Sequence, residues 1–184
     1  AIYAGRGTLF ILFLVQFGLI WLISSRIGSM SFLTATLLFI AYSIVTGVTL
    51  SSIFLLFTTG SIASVFFITA GTFAALSIYG FITKKDLSTW RTYLFMGLIG
   101  LIIASIVNWF LASEMMYWII SYVGVAVFIG LTAYDTQKIK QLASACYAEN
   151  EDTQNKVALL GAITLYLDFI NLFLYILRIF GKRK

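Results

Sequence analysis

Two aspartates lie in or beside long apolar stretches of the sequence, and their type and surroundings make them the first candidates for chemistry. Asp168 has eleven uncharged residues before it and nine after it, and Asp135 follows a charge-free run of twenty residues. Two carboxylates that share a site of low dielectric resist simultaneous ionisation, so one of them tends to keep a proton. The same pair, when deprotonated, offers hard oxygen ligands for Ca²⁺. If the two aspartates meet, the sequence predicts a proton switch and a transient Ca²⁺ site.

A stripe of polar residues accompanies Asp168 along its segment. Helical spacing places five residues on one face: Thr164, Asp168, Asn171, Tyr175 and Arg178. In a membrane such a face must contact protein or water, so this segment is expected in the middle of a helix bundle. Each aspartate also has a simpler interpretation. Asp168 could be a structural carboxylate bonded to neighbouring helices, and Asp135 could be the first hydrated residue after a span.

Arg26 is the candidate counter-charge for the pair. It falls between the first and second apolar segments, at the same predicted membrane face as Asp135. Deprotonated Asp135 could hold Arg26 as a latch, and protonation would release it. The alternative is an ordinary loop arginine that faces the cytoplasm. Because the sequence contains no histidine, a pH switch near neutrality has to depend on carboxylates.

The composition requires the elements that carry these residues to be membrane helices. The 184 residues are 61% hydrophobic and 10% charged, with a mean hydropathy of +1.01, whereas soluble domains are about 45–50% apolar and about 25% charged. This excludes a soluble enzyme, a disulfide scaffold and a disordered chain. The net charge of +5 is then better explained by loops that face the cytoplasm than by nucleic acid. No nucleophile–base pair, metal cluster or phosphate loop indicates an enzyme or a resident cofactor.

Charge-free stretches of about 20 residues each predict six crossings of the hydrocarbon layer. They are residues 7–25, two helices within 27–83 separated by a turn near Gly60, then 92–113, 115–134 and 157–177. The predicted fold is therefore a single all-α, polytopic transmembrane domain over residues 1–184. Small residues four apart, such as Gly71 and Ala75, would let helices approach closely.

Basic residues are distributed unevenly between the two membrane faces. One face receives seven of them: Arg26, Lys84, Lys85, Arg91, Lys138, Lys140 and Lys156. The other receives Arg6 and Glu114, which predicts a cytoplasmic Lys84 loop and a chain that starts outside. Two alternatives remain for the last segment. A full crossing puts the basic residues 182–184 outside, and a re-entrant segment keeps them inside.

Two short segments around the aspartates resemble a known family. Residues 131–138 (LTAYDTQK) and 165–173 (LYLDFINLF) resemble the signature segments of the transmembrane Bax-inhibitor-motif family, and residues 46–51 and 83–88 extend the likeness. The resemblance covers nearly the whole chain and is closest to bacterial inner-membrane members. It implies a seven-helix fold with the last helix at the centre. The six segments here would be the second to seventh, and the first would be missing.

The resemblance also implies a function. The family's di-aspartyl pH sensor corresponds to Asp135 and Asp168, and its arginine latch corresponds to Arg26. Family members are pH-sensitive calcium leaks, so the expected function is a cation leak gated by the aspartate pair, with the lipid bilayer and Ca²⁺ as partners. The alternative is an interaction protein that modulates an inner-membrane protease or a stress response, since some bacterial relatives restrain such a protease.

Overall fold

The computed structural model describes the backbone of residues 2–184 and the side chains of residue 7 and residues 11–184. Helices account for nearly all of this part of the chain: α1 (Ile2–Arg26), α2 (Phe32–Leu50), α3 (Ile53–Leu56), α4 (Thr59–Ile82), α5 (Arg91–Leu111), α6 (Glu114–Ala145) and α7 (Glu151–Phe180). Helix α3 is a single turn that extends α2, and a 3-10 turn, Leu87–Trp90, leads into α5. The six long helices confirm the predicted all-α polytopic fold.

Length and apolar composition suit these helices to a bilayer. Five stretches are long and apolar enough to cross a membrane, from Phe32–Leu56 to Glu151–Phe180. Helix α1 adds a shorter apolar stretch, Ile11–Arg26. The side chains of Arg6 and of residues 8–10 in the predicted span 7–25 are not among those that the structure describes. Large apolar side chains such as Leu33 and Phe67 are exposed, as expected for surfaces that contact lipid.

Side-chain caps mark the starts of α2, α6 and α7. The hydroxyl of Ser31 accepts from the Thr34 amide, that of Ser113 from the Met116 amide, and the Asn150 side chain from the Thr153 amide. Each cap satisfies an amide that has no partner inside its helix. Because the sequence has no proline, nothing of that kind interrupts a helix once it has started.

The helices extend further than the predicted apolar segments at the end of the fifth segment and at the start of the sixth. Helix α6 continues to Ala145 rather than ending at Tyr134, and α7 starts at Glu151 rather than at residue 157. Asp135 is therefore ten residues inside a helix, and its place relative to the end of the membrane span stays a prediction. Polar residues beyond the hydrocarbon layer remain helical here because no glycine or proline stops the helix before Cys146.

Helix α7 is one of the two most enclosed elements, with eight buried residues, the same number as α6. It packs against α2, α4 and α6, and Leu172, Ile176 and Leu177 on it are almost fully buried. A second cluster brings Ile23 of α1 against Ile163 of α7. Helix α5 packs on α6, and α1 packs on α2.

The chain after α7 shows that the last segment crosses the bundle completely. Helix α7 is a continuous helix of 30 residues, about 45 Å long. Beyond it, the Thr58 amide donates to the Lys182 carbonyl at 3.0 Å, and the Lys184 amide donates to the Leu56 carbonyl at 3.0 Å. Residues 56–58 precede α4 at the end opposite Lys84, so the full crossing, and not the re-entrant alternative, is found.

This crossing changes the charge count between the two faces. We call the end that carries Lys84 and Lys85 the lysine-loop face and the end that carries residues 181–184 the tail face. Seven of the twelve basic residues belong to the lysine-loop face and five to the tail face: Arg6, Arg178, Lys182, Arg183 and Lys184. The expected ratio of seven to one is therefore too large. The cytoplasmic location of the lysine-loop face stays a prediction.

Candidate functional site

Asp135 and Asp168 come together where α6 and α7 pack side by side. The two helices run antiparallel, since Gly161 near the start of α7 contacts Ile139, and Gly124 near the start of α6 contacts Tyr175. Asp168 is 5% exposed, Asp135 is half-buried, and the two carboxyl groups are within hydrogen-bonding reach. A hydrogen bond between two carboxyl groups needs a proton on one of them.

No ion pair within 4.0 Å joins this pair to a basic side chain in the described part of the chain, although the charge of Lys138, three residues after Asp135 on α6, acts on Asp135. The ion pair found there joins Lys156 to Asp152 at 2.7 Å. The Oδ2 atom of Asp168 is buried without a hydrogen-bond partner among the described atoms. A buried carboxylate without a partner is costly. A proton or an external cation is therefore needed to balance the charge of the pair.

The polar neighbours of the pair are bonded within their own helices. On α6, the hydroxyls of Thr132 and Thr136 donate to the carbonyls one turn earlier, each at 2.7 Å. On α7, Thr164 donates to the Leu160 carbonyl at 2.9 Å, and Asn171 donates to the Leu167 carbonyl at 2.8 Å. The described stripe residues therefore do not supply a donor to Asp168, although their polarity suits water near it.

The far end of the stripe belongs to a different part of the molecule. The Tyr175 ring packs against Gly124, where a side chain would collide with the ring. The Arg178 guanidinium lies 5.2 Å from the centroid of that ring, and the side chain is exposed at the tail face. The five stripe residues thus divide into a part around Asp168 and a part around Arg178.

The structure does not bring Arg26 into contact with the aspartate pair. Arg26 ends α1 with an exposed side chain, and no ion pair within 4.0 Å joins it to a carboxylate of the described residues. Ile23, one turn earlier, is fully buried against the first half of α7. Arg26 therefore lies at the lysine-loop face near α7, and its role as a latch stays a prediction.

Gln137 is a functional candidate that the sequence did not reveal. Its side chain is 8% exposed, its Nε2 donates to the Lys85 carbonyl at 2.8 Å, and its Oε1 accepts from the Leu87 amide at 2.8 Å. The amide therefore ties the loop before α5 to α6, two residues after Asp135. A glutamine at a predicted helix end resembles any hydrated residue, so no local pattern indicates this contact.

A cavity of about 400 Å³ lies beside the hydrogen bonds of Gln137 at the lysine-loop face. It is lined by Asp86, Trp90 and Tyr134 among others. The Ser88 amide and hydroxyl both donate to Asp86 at 2.8 Å. These two bonds hold the pKa of the Asp86 carboxyl below its ordinary value. Asp86 is therefore an ionised residue in the wall of a cavity adjacent to Asp135.

The carboxylates could hold Ca²⁺ only weakly by themselves. Among the described residues no cluster of three or more histidines, cysteines or acids exists. Ca²⁺ takes about six to eight oxygen ligands, and Asp135 and Asp168 together offer four. Water would have to complete the shell, which favours brief occupancy over storage.

Comparison with known proteins identifies the family. The family model described as inhibitor of apoptosis-promoting Bax1 matches residues 2–184. The inner membrane protein YbhL of Escherichia coli strain K12 is 49% identical over 183 residues, which cover 100% of this chain and 78% of the relative. A Borreliella burgdorferi protein is 48% identical over 183 residues with the same coverage. A Deinococcus radiodurans protein is 37% identical over 172 residues, 94% of this chain and 74% of the relative. The chain is therefore a multi-pass bacterial inner-membrane protein that belongs to the Bax inhibitor family.

Proposed function

We propose that this protein is a passive, pH-sensitive leak for Ca²⁺ or a similar hard cation, without enzymatic activity. The observation that carries the proposal is the buried pair of Asp135 and Asp168, which forms no ion pair within 4.0 Å with a basic side chain of the described residues. A scaffold has no need for two carboxyl groups in contact inside a helix bundle, because their burial is costly. A leak does need such a pair, because protons and cations compete for the same oxygens.

The proposed gate works through the charge of Asp135. When both carboxyl groups are ionised, Asp135 attracts Arg26 and the lysine-loop face closes. When a proton joins the pair, the attraction weakens and the path opens, so closure is strongest at high pH and is lost as the pH falls. An arrangement with a hydrogen bond between the carboxyl groups and no Arg26 ion pair is what this mechanism expects of the protonated form.

Ca²⁺ entry into proteoliposomes at about pH 6 and pH 8 tests the gate. The wild type should admit more Ca²⁺ at pH 6. Asp135→Asn should leak at both values, because asparagine keeps the shape of a protonated aspartate but cannot pair with Arg26 as a charge. Arg26→Gln should behave in the same way. Each 1.4 kcal/mol of lost ion pairing shifts the ratio of closed to open protein about tenfold.

Asp168→Asn tests the ion site separately. Loss of a charged oxygen ligand should reduce Ca²⁺ flux at both pH values rather than abolish the pH dependence. Asp86→Asn is the matched control, since it removes an acid from the same face, outside the pair, and asparagine caps a helix as well as aspartate does. If the wild type and the Asp135 and Asp168 variants behave alike, neither aspartate gates anything. The interaction-protein alternative would then be preferred.

A further inference from the structure

A second cavity lies at the tail face, at the opposite end of the bundle from the proposed gate. Its volume is about 480 Å³, and it is formed by the end of α5, the start of α6 and the end of α7. Its polar and aromatic lining includes Asn108, Glu114, Tyr117, Trp118, Arg178 and Arg183. The leak mechanism uses none of these residues, so the cavity needs its own explanation.

Two arginines of this cavity share one aromatic ring. The guanidinium carbons of Arg178 and Arg183 lie 5.7 Å and 5.6 Å from the centroid of Tyr117. Arg183 also donates to the Tyr117 hydroxyl at 3.2 Å. Stacking on a ring uses the face of a guanidinium and leaves its N–H edges available. The guanidinium groups of Arg178 and Arg183 thus both line the cavity at the tail face.

Most N–H groups of the two guanidinium groups at this cavity make no hydrogen bond with the described residues. A guanidinium has five N–H donors; Arg183 uses one in the bond to Tyr117, and Arg178 makes no side-chain hydrogen bond with described residues. Glu114 is the acid of the cavity wall, and it forms no ion pair within 4.0 Å with either arginine. The cavity therefore has a net positive charge and free donors.

The position of Arg183 is fixed by the backbone. Arg183 and Phe57 form an antiparallel bridge, and the Lys182 amide donates to the Ser61 hydroxyl at 2.8 Å. This pairing holds the short tail against the start of α4. An arginine that is positioned before a ligand arrives loses less entropy on binding than one on a mobile end.

We propose that this cavity binds the phosphate headgroup of an anionic phospholipid from the adjacent leaflet. Trp118 lines the cavity, and Trp109 nearby is 73% exposed; tryptophans of this kind mark the depth of the headgroups. Arginine forks pair with phosphate through two N–H bonds. The headgroup layer supplies such phosphates at that depth.

Native mass spectrometry of the purified full chain in detergent micelles tests the proposal. Titration with phosphatidylglycerol should give one saturable adduct, and phosphatidylcholine should bind more weakly. Arg178→Gln and Arg183→Gln should each weaken phosphatidylglycerol binding about tenfold, because each removes a charge-assisted hydrogen bond to the phosphate. Lys182→Gln is the matched control, because it removes the same charge from the same tail outside the cavity wall, and it should change the affinity less than about twofold.

Folding and the source of the phosphate are controlled separately. Melting temperatures in phosphatidylcholine alone show whether each variant is folded. If a glutamine variant is not folded, the corresponding lysine variant, Arg178→Lys or Arg183→Lys, takes its place. The lysine variants should bind phosphatidylglycerol with intermediate affinity. The proposal is overturned if the two lipids bind equally, or if Lys182→Gln weakens binding as much as the arginine variants do. If millimolar inorganic phosphate displaces the lipid, and this displacement also depends on the two arginines, the cavity is a site for a free anion and not for a lipid headgroup.

Discussion

Gly80 of α4 and Ala133 of α6 form a close helix contact beside the aspartate pair. A Cβ atom added at Gly80 would lie 3.0 Å from the carbonyl carbon of Ala133 and 3.1 Å from its Cα, and closer still to the carbonyl oxygen. Carbon atoms in contact are ordinarily about 3.5–4.0 Å apart. The obstacle is backbone, which cannot rotate away. Gly80→Ala should therefore push α4 and α6 apart by roughly 0.5–1 Å.

The free energy of this change can be separated into two parts. Alanine stabilises a helix by about 1 kcal/mol relative to glycine, and overpacking destabilises a core by about 1–3 kcal/mol. Gly71→Ala gives the first part alone, because Gly71 lies in the same helix, is exposed, and has no atom within 4 Å of an added Cβ. The difference between the two variants therefore isolates the overpacking.

Thermal unfolding of both variants in one detergent measures that difference. For a chain of this length each kcal/mol corresponds to about 2–4 °C, so Gly80→Ala should melt about 2–12 °C below Gly71→Ala. Because Ala133 and Asp135 lie two residues apart on α6, displacement of α6 should also alter the pH response of Ca²⁺ flux. A Gly80→Ala protein that melts at or above Gly71→Ala would refute the reasoning.

Two further predictions concern the lysine-loop face. Gln137→Leu leaves the Leu87 amide without its acceptor, so hydrogen exchange of that amide should be faster. Gln137→Glu keeps an acceptor and should protect the amide. Equal exchange in both variants would contradict the hydrogen bond between Gln137 and Leu87. With Cys146 replaced by serine, Ser88→Cys should react with an impermeant thiol reagent only after the membrane is opened, and Lys184→Cys should react in intact cells. The reverse pattern of labelling would invert the assigned orientation and place Asp135 near the outer face.

The number of helices followed from the sequence because hydrocarbon thickness fixes how long a charge-free segment must be. The ends of α6 and α7 did not follow, since outside the hydrocarbon layer charged residues such as Lys138 and Lys140 are as compatible with helix as with loop. The spacing of small residues also indicated the wrong position. Gly71 has open space around it and Gly80 has none, because periodicity alone does not say which face of an apolar helix points inward.

The aspartate pair was predictable because its chemistry is local: an acid in an apolar segment needs a partner wherever the helices pack. The contacts of Gln137 and of the tail were not predictable in this way. Gln137 bonds to residues 50 and 52 positions away, and the Lys182 amide bonds to a hydroxyl 121 positions away. Nothing in the local pattern of these residues distinguishes them from hydrated ends of helices.

Helix α7 connects the two proposed sites, and distance decides how far they influence one another. Arg178 follows Asp168 by ten residues, which is about 15 Å along a helix. Two unit charges at that distance interact by about 1 kcal/mol at an effective dielectric constant near 20, which is about a fivefold effect on an ion at the aspartates. A bound anionic headgroup would cancel part of the repulsion that Arg178 exerts on a cation. The headgroup site can therefore adjust the leak but cannot replace its gate, so loss of either arginine and loss of either aspartate should remain distinguishable.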